Sequence, residues 1–190
     1  MNEEVLGEQL AAVLSDFEIA AVKLGLVPSG SMAHVIASAL AQTAAPVIWD
    51  PVFSATAGTP LLYDDPRVIA EVLAPECALI TPNLGEAAVL GENGHAIRAA
   101  YGCDVLIKGG HASDASATDV LFDAIGAREL AAERVIGAAP RGTGCFLSSA
   151  IATAIAGDAS VFEAISSSKE ALTTRLRTVT KRGRGAPHLF

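Results

Sequence analysis

Short apolar runs that stop abruptly recur along this chain, and helical spacing fills the gaps between them. Val47-Ile48-Trp49 is closed by Asp50-Pro51, Ala78-Leu79-Ile80 by Thr81-Pro82, and Asp104-Val105-Leu106-Ile107-Lys108 by Gly109-Gly110. Proline removes a ladder donor and stops a strand, so the first two runs read as strands with fixed ends. An earlier run, Ile19 to Gly25, ends at a glycine in the same way. Apolar residues at helical spacing predict helices over Glu4–Leu14, from Ser29 or Ser31 to about Ala41, from Asp65-Pro66 to about Leu73, over Leu84–Leu90 and over Gly94–Tyr101. Asp119–Phe122 and roughly Glu129–Ile136 follow as short strands that can pair antiparallel, before helices ending near Ala156 and spanning 160–178. Strand and helix alternate, which implies one open α/β sheet with right-handed crossovers.

The chain has 190 residues, 51% of them hydrophobic but only 5% aromatic, a profile that suits buried parallel strands covered by small-residue helices. Thirteen basic against twenty-one acidic residues give a net charge of −8, which argues against a binder of nucleic-acid phosphates. Arg175, Arg177, Lys181, Arg182 and Arg184 concentrate basic charge at the end, where they read as a solvated helix end and a frayed terminus. Cys77, Cys103 and Cys145 are widely spaced and odd in number, so neither a disulfide framework nor a zinc site is indicated. His34, His95 and His188 have no partner pattern and read as surface residues. An acidic start and interrupted apolar stretches predict neither a signal peptide nor a membrane span, and the expectation is a cytoplasmic protein.

Arg141-Gly142-Thr143-Gly144-Cys145 opens directly into the apolar helix that runs to about Ala156. Glycines permit positive φ and close approach of a ligand, and a helix N-terminus presents unpaired N–H groups to an anion. Thiolates are favoured at such termini, and Cys145 stands there. The plainer reading is a tight turn followed by a small buried cysteine.

In open α/β sheets ligands collect beyond the carboxyl ends of the strands. Lys23-Leu24-Gly25, Asp50-Pro51-Val52, Thr81-Pro82-Asn83 with Glu86, and Lys108-Gly109-Gly110-His111 all fall there. One rim would therefore gather two lysines, two carboxylates and an asparagine near the glycine turn, a set suited to phosphoryl transfer with Mg²⁺. Neither a Walker phosphate loop nor a G-x-G-x-x-G following a strand is present.

Taken together the segments resemble the hydroxymethylpyrimidine/phosphomethylpyrimidine kinase family of thiamine biosynthesis, within the ribokinase-like superfamily. The resemblance rests on V-K-L-G at 22–25, D-P-V at 50–52, T-P-N-L-G-E-A at 81–87, I-K-G-G-H at 107–111, D-V-L-F-D at 119–123 and G-T-G-C at 142–145, in the family's order. It implies a ribokinase-like fold, mostly parallel with helices on both faces; the expectation is a single domain over 1–190 whose basic charge marks 175–190 as a partly mobile tail. It implies an ATP- and Mg²⁺-dependent kinase acting on a small-molecule pyrimidine alcohol or its phosphate. By the same resemblance Cys145 is the catalytic base, and Gly142, Thr143 and Gly144 form the anion hole. Asn83, Glu86, Lys108 and Gly110 serve the nucleotide, Asp50 and Glu86 the metal, and Val52 and Leu26 the substrate, while Arg141, outside the family pattern, is read from its charge as holding an anionic substrate.

Three departures accompany it. Arg141 stands where the family commonly has a His or a small polar residue, and Phe146 stands where Thr or Ser is usual. The family's first strand, glycine-rich substrate loop and a substrate-contacting acid and glutamine have no counterpart ahead of the first helix. The expectation is a shortened domain whose phosphate half is nearly complete and whose pyrimidine half is not. An uncovered sheet edge then favours a homodimer. The alternatives are a regulatory nucleotide- or phosphate-binding homologue without turnover, and a kinase for a related alcohol such as pyridoxal.

Overall fold

The computed structural model describes residues 2–54, 61–109, 117–135, 140–181, 185–187 and 189. Its sheet has six strands in sequential order: β1 (Val22–Leu24), β2 (Val47–Trp49), β3 (Leu79–Ile80), β4 (Asp104–Ile107), β5 (Asp119–Phe122) and β6 (Ala127–Leu130). The first four are parallel, and β5 and β6 each run antiparallel to the strand before. Between them run α1 (Glu3–Asp16), α2 (Gly30–Leu40), α3 (Pro66–Leu73), α4 (Leu84–Leu90) and α5 (Gly94–Tyr101), and after them α6 (Thr143–Ala156) and α7 (Val161–Arg177).

Side chains alternate across a strand, and that period divides the core. Val47, Trp49, Ile80 and Val105 face one cluster with Ile36 of α2, Ile69 and Leu73 of α3, Leu90 of α4 and Ile97 of α5. Ile48, Leu79 and Leu106 face the other, with Leu121 and Leu130 of the antiparallel strands and Leu147, Ile151 and Ile165 of α6 and α7. Helices therefore cover both faces.

The parallel register fixes which residues share the carboxyl rim. Asp50 N donates to Leu24 O at 3.0 Å, Thr81 N to Trp49 O at 2.9 Å and Lys108 N to Pro82 O at 2.9 Å. Asp50, Thr81 and Lys108 thus leave neighbouring strands at one level.

β3 and β4 are each one residue shorter than expected, and two strands depart further. β1 spans three residues, fewer than the run from Ile19 to Gly25, because its register with β2 starts only at the Val22–Val47 pair. β6 begins earlier than expected because the chain reverses at once after β5. Asp123 Oδ1 accepts from the amides of Ile125 and Gly126, and Gly126 takes φ 137°. Its sequence, Ala-Arg-Glu-Leu, offers no apolar run, and Arg128 is spent on an ion pair with Asp123.

The tail also departs from a simply frayed end. Arg141 N donates to Pro187 O at 2.9 Å, Leu189 N donates to Arg141 O at 3.4 Å, and Leu189 is buried. The described residues at the chain's end are therefore tied to the segment that leads into α6.

Ile151 is fully buried where α6 meets the sheet. Ile151→Ala is expected to destabilise the protein by about 2–5 kcal/mol. Urea unfolding followed by fluorescence of the single tryptophan, Trp49, measures this. A loss below about 1 kcal/mol would mean that this contact does not hold α6 to the sheet.

Candidate active site

At the centre of the rim lies a buried ion pair. Lys108 Nζ is 2.5 Å from Asp50 Oδ1, and the two side chains are 13% and 3% exposed. Thr81 Oγ1 donates to the same oxygen at 3.4 Å. Both bonds fall on Oδ1, while Oδ2 is turned toward the start of α6: a Cβ on Gly144 would lie 3.5 Å from it and 3.2 Å from Lys108 Nζ. A side chain there would crowd the Lys108 ammonium and stand between the helix end and the pair. Removing one partner of such a buried pair costs about 3–5 kcal/mol, because the other charge is left unpaired.

The end of α6 that meets this pair has no side-chain cap. Gly142 is its N-cap in the left-handed region (φ 89°), and Phe146 N makes the first helical bond, to Gly142 O at 2.9 Å. The other six α-helices are capped by Asn2, Ser29, Asp65, Asn83, Asn93 and Ser160. Gly142 stands where Ser, Thr, Asn or Asp would cap α6, so among the described residues no side chain caps its first-turn amides, which suit an external anion. Cys145, in that turn, is exposed, whereas Cys77 and Cys103 are buried. Burial pushes the Cys77 thiol far above its ordinary value and the Cys103 thiol up to about 11, so both stay protonated. Cys145 is therefore not the small buried hydrophobe of the plainer reading.

Asn83 and Glu86 form the N-terminus of α4. Glu86 N donates to Asn83 Oδ1 at 2.9 Å and Asn83 N donates to Glu86 Oε2 at 2.7 Å, a reciprocal capping box. Asn83 also bridges to Lys108 across the rim. Burial raises the Glu86 carboxyl above its ordinary value of 4.5, with Asp50 adding to the rise, while the Asn83 amide, the Lys108 charge and the Phe53 backbone pull it down. The titration of Glu86 therefore senses both members of the central pair. Among the described residues no three His, Cys, Asp or Glu side chains gather as a metal cage. Two hard carboxylates, with the remaining positions left to water and phosphate oxygens, fit Mg²⁺ better than a closed cage would.

Leu26 is exposed just past β1, beyond Gly25, whose carbonyl accepts from Trp49 Nε1 at 3.1 Å. Val52 is half-buried, its amide donating to Asp50 O at 2.8 Å, and Arg141 is exposed beside Gly142. Gly110 lies outside the described residues. The structure thus brings together Asp50, Lys108, Gly144, Asn83 and Glu86. Lys23, grouped with them on the sequence, reaches instead to within 3.1 Å of where a Gly25 Cβ would stand. Thr81 was visible only as a strand end; its hydroxyl bond to Asp50 is a consequence of register that the sequence could signal only through its place beside Pro82.

A family model for phosphomethylpyrimidine kinase matches residues 1–189. The chain belongs to that family. Among its relatives, the hydroxymethylpyrimidine/phosphomethylpyrimidine kinase of Rhizobium meliloti is 34% identical, the match covering 100% of this chain and 78% of the relative. The Aquifex aeolicus enzyme of the same name is 33% identical over 96% of this chain and 76% of its own length. The chain therefore spans about three quarters of these members of the family. Of solved structures, the ADP complex of Bacillus subtilis pyridoxal kinase superposes with a TM-score of 0.87 at 27% identity, covering 99% of this chain and 75% of that one. Phosphomethylpyrimidine kinase from Clostridium difficile superposes at 0.77 and 28% identity, covering 92% and 76%. The fold is ribokinase-like.

Because the folded protein raises the Glu86 value, that side chain's contribution to stability is fully present below pH 4.5 and is lost as pH rises through the raised value. Glu86→Gln cannot ionise, and its amide oxygen still accepts from the Asn83 amide. Its melting temperature is expected to exceed that of the unmodified protein near neutral pH, the gain closing as the pH falls below 4.5. Thermal melts across that range check this; a gain that does not change with pH would contradict it.

Proposed function

We propose that this chain transfers the γ-phosphate of ATP to hydroxymethylpyrimidine or its monophosphate. The observation that carries the reading is the uncapped N-terminus of α6 seated, through Gly144, on the Lys108–Asp50 pair. Family membership supplies the reaction class, and the ADP complex of the Bacillus subtilis relative supports nucleotide use.

In this reading the amides of Gly142, Thr143 and Gly144 receive the charge that spreads over the transferred phosphoryl oxygens. They are fixed beforehand by the helix and need no rearrangement during the reaction. Lys108 sets a positive charge against the nucleotide phosphates, held in place by Asp50 until they arrive. Asn83 and Glu86 line the nucleotide side, and Asp50 and Glu86 would hold Mg²⁺. That ion supplies charge neutralisation at the phosphate oxygens. Cys145 accepts the proton of the substrate hydroxyl. The alcohol oxygen then forms its bond to the γ-phosphorus, the bond from that phosphorus to the β-bridging oxygen breaks, and ADP leaves. Leu26 and Val52 flank the acceptor, and Arg141 offers a cation to the phosphate of a monophosphate substrate.

The reading extends to assembly and place. β1 ends the sheet among the described residues, and Val5, Val13 and Phe17 on and just after α1 are exposed, a surface that fits a homodimer. No described helix is long and apolar enough to cross a membrane, and the net charge is −8. We place the protein in the cytoplasm, working on small molecules and not on nucleic acid.

Incubation with ATP, Mg²⁺ and the pyrimidine monophosphate is expected to yield ADP and the diphosphate, with pyridoxal a poorer acceptor. No product at any enzyme concentration would contradict the reading and leave a binding protein, and faster turnover of pyridoxal would reassign the acceptor. Cys145→Ser is expected to lower kcat by about 10²-fold or more while nucleotide affinity, read from Trp49 fluorescence, stays unchanged. Sedimentation of a monomer at micromolar concentration would contradict the dimer.

A further inference from the structure

A second buried ion pair lies behind the site, and no step above uses it. Asp119 opens β5 and Lys169 sits midway along α7; they are 4% and 7% exposed. Lys169 Nζ lies 2.5 Å from Asp119 Oδ2. The other carboxylate oxygen, Oδ1, accepts from Gly109 N at 2.8 Å. Gly109 follows Lys108 directly and is itself buried, packed so closely that a side chain there would run into the carbonyl oxygen of Thr118.

Stability alone does not call for such a pair. Well-packed apolar residues of similar volume serve as well as a buried ion pair, or better. What an apolar pair cannot supply is an oxygen for the Gly109 N–H at the point where β4 leaves the sheet. A bond from an amide to an ionised carboxylate is short and strong, and Lys169 allows that carboxylate to stay charged while buried.

We propose that Asp119, with Lys169 as its buried counter-charge, is a positioning residue for Lys108. Lys169 neutralises Asp119, an Asp119 oxygen fixes the Gly109 amide, and the fixed amide keeps the Lys108 side chain aimed at Asp50 and at the phosphate over α6. This inference rests on the phosphate role given to Lys108 above.

Two double variants test it. Asp119→Asn with Lys169→Met removes both charges and leaves an oxygen for Gly109, whereas Asp119→Leu with Lys169→Met removes the oxygen too. The first is expected to keep kcat within about threefold, and the second to lose about tenfold or more with little change in substrate KM, at similar melting temperatures. Full activity in the second variant, or an equal loss in the first, would overturn the proposal. If the second does not fold, the first decides alone: retained kcat supports the proposal and a tenfold loss overturns it. Turnover of the unmodified protein is measured beforehand, so its absence would fall on the proposed function. Hydrogen exchange at the Gly109 amide gives a reading that needs no turnover. Exchange is expected to be slow in the unmodified protein and in the Asn variant and at least about tenfold faster in the Leu variant; equal rates would overturn the proposal.

Discussion

The site depends on one ion pair and on what the chain allows to approach it. Asp50 and Lys108 reach each other because β2, β3 and β4 are parallel and end at one level. A buried pair of this kind contributes little to stability by itself. Its value is placement: it stores a lysine and a carboxylate, mutually neutralised, under a helix end whose amides have no partner side chain. Gly144 eases that approach, since a Cβ there would crowd the Lys108 ammonium and touch Asp50. An anion arriving there finds amides, a helix dipole and an ammonium already arranged.

Around this centre each further residue has two duties. Asn83 and Glu86 cap α4 and also place a carboxylate in contact with the field of Lys108 and Asp50. Trp49 fills the core of one face while its indole N–H holds the Gly25 carbonyl just ahead of Leu26. Folding and site geometry therefore share side chains, and a substitution at the rim is expected to register in both. Raised by burial, Glu86 shows the tension directly: the charge suited to a metal is the form that folding disfavours.

Much of this was legible in the sequence, for identifiable reasons. β2, α3, α4, α5 and β5 fall at their expected limits because proline, asparagine and aspartate punctuate them with local rules that tertiary contacts do not override. The rim residues were legible because strand ends in a parallel sheet converge. Long-range pairings left no such trace. Nothing near Lys169 marks it as the partner of Asp119, fifty positions away. The return of Pro187 and Leu189 to Arg141 is equally invisible, as backbone bonds between distant segments carry no composition signal. β6 was misplaced because half of its four residues are charged and its pairing is set by the turn before it.

The central claim is that the bare end of α6, brought against Lys108 and Asp50 by Gly144, is where phosphate binds. Titration calorimetry of ADP with Mg²⁺ into the unmodified protein and into Gly144→Val tests it most directly. The account predicts binding to the unmodified protein and a loss of about 100-fold or more in the variant, or about 2.7 kcal/mol, at a similar melting temperature. Equal affinity in a folded Gly144→Val protein would contradict it.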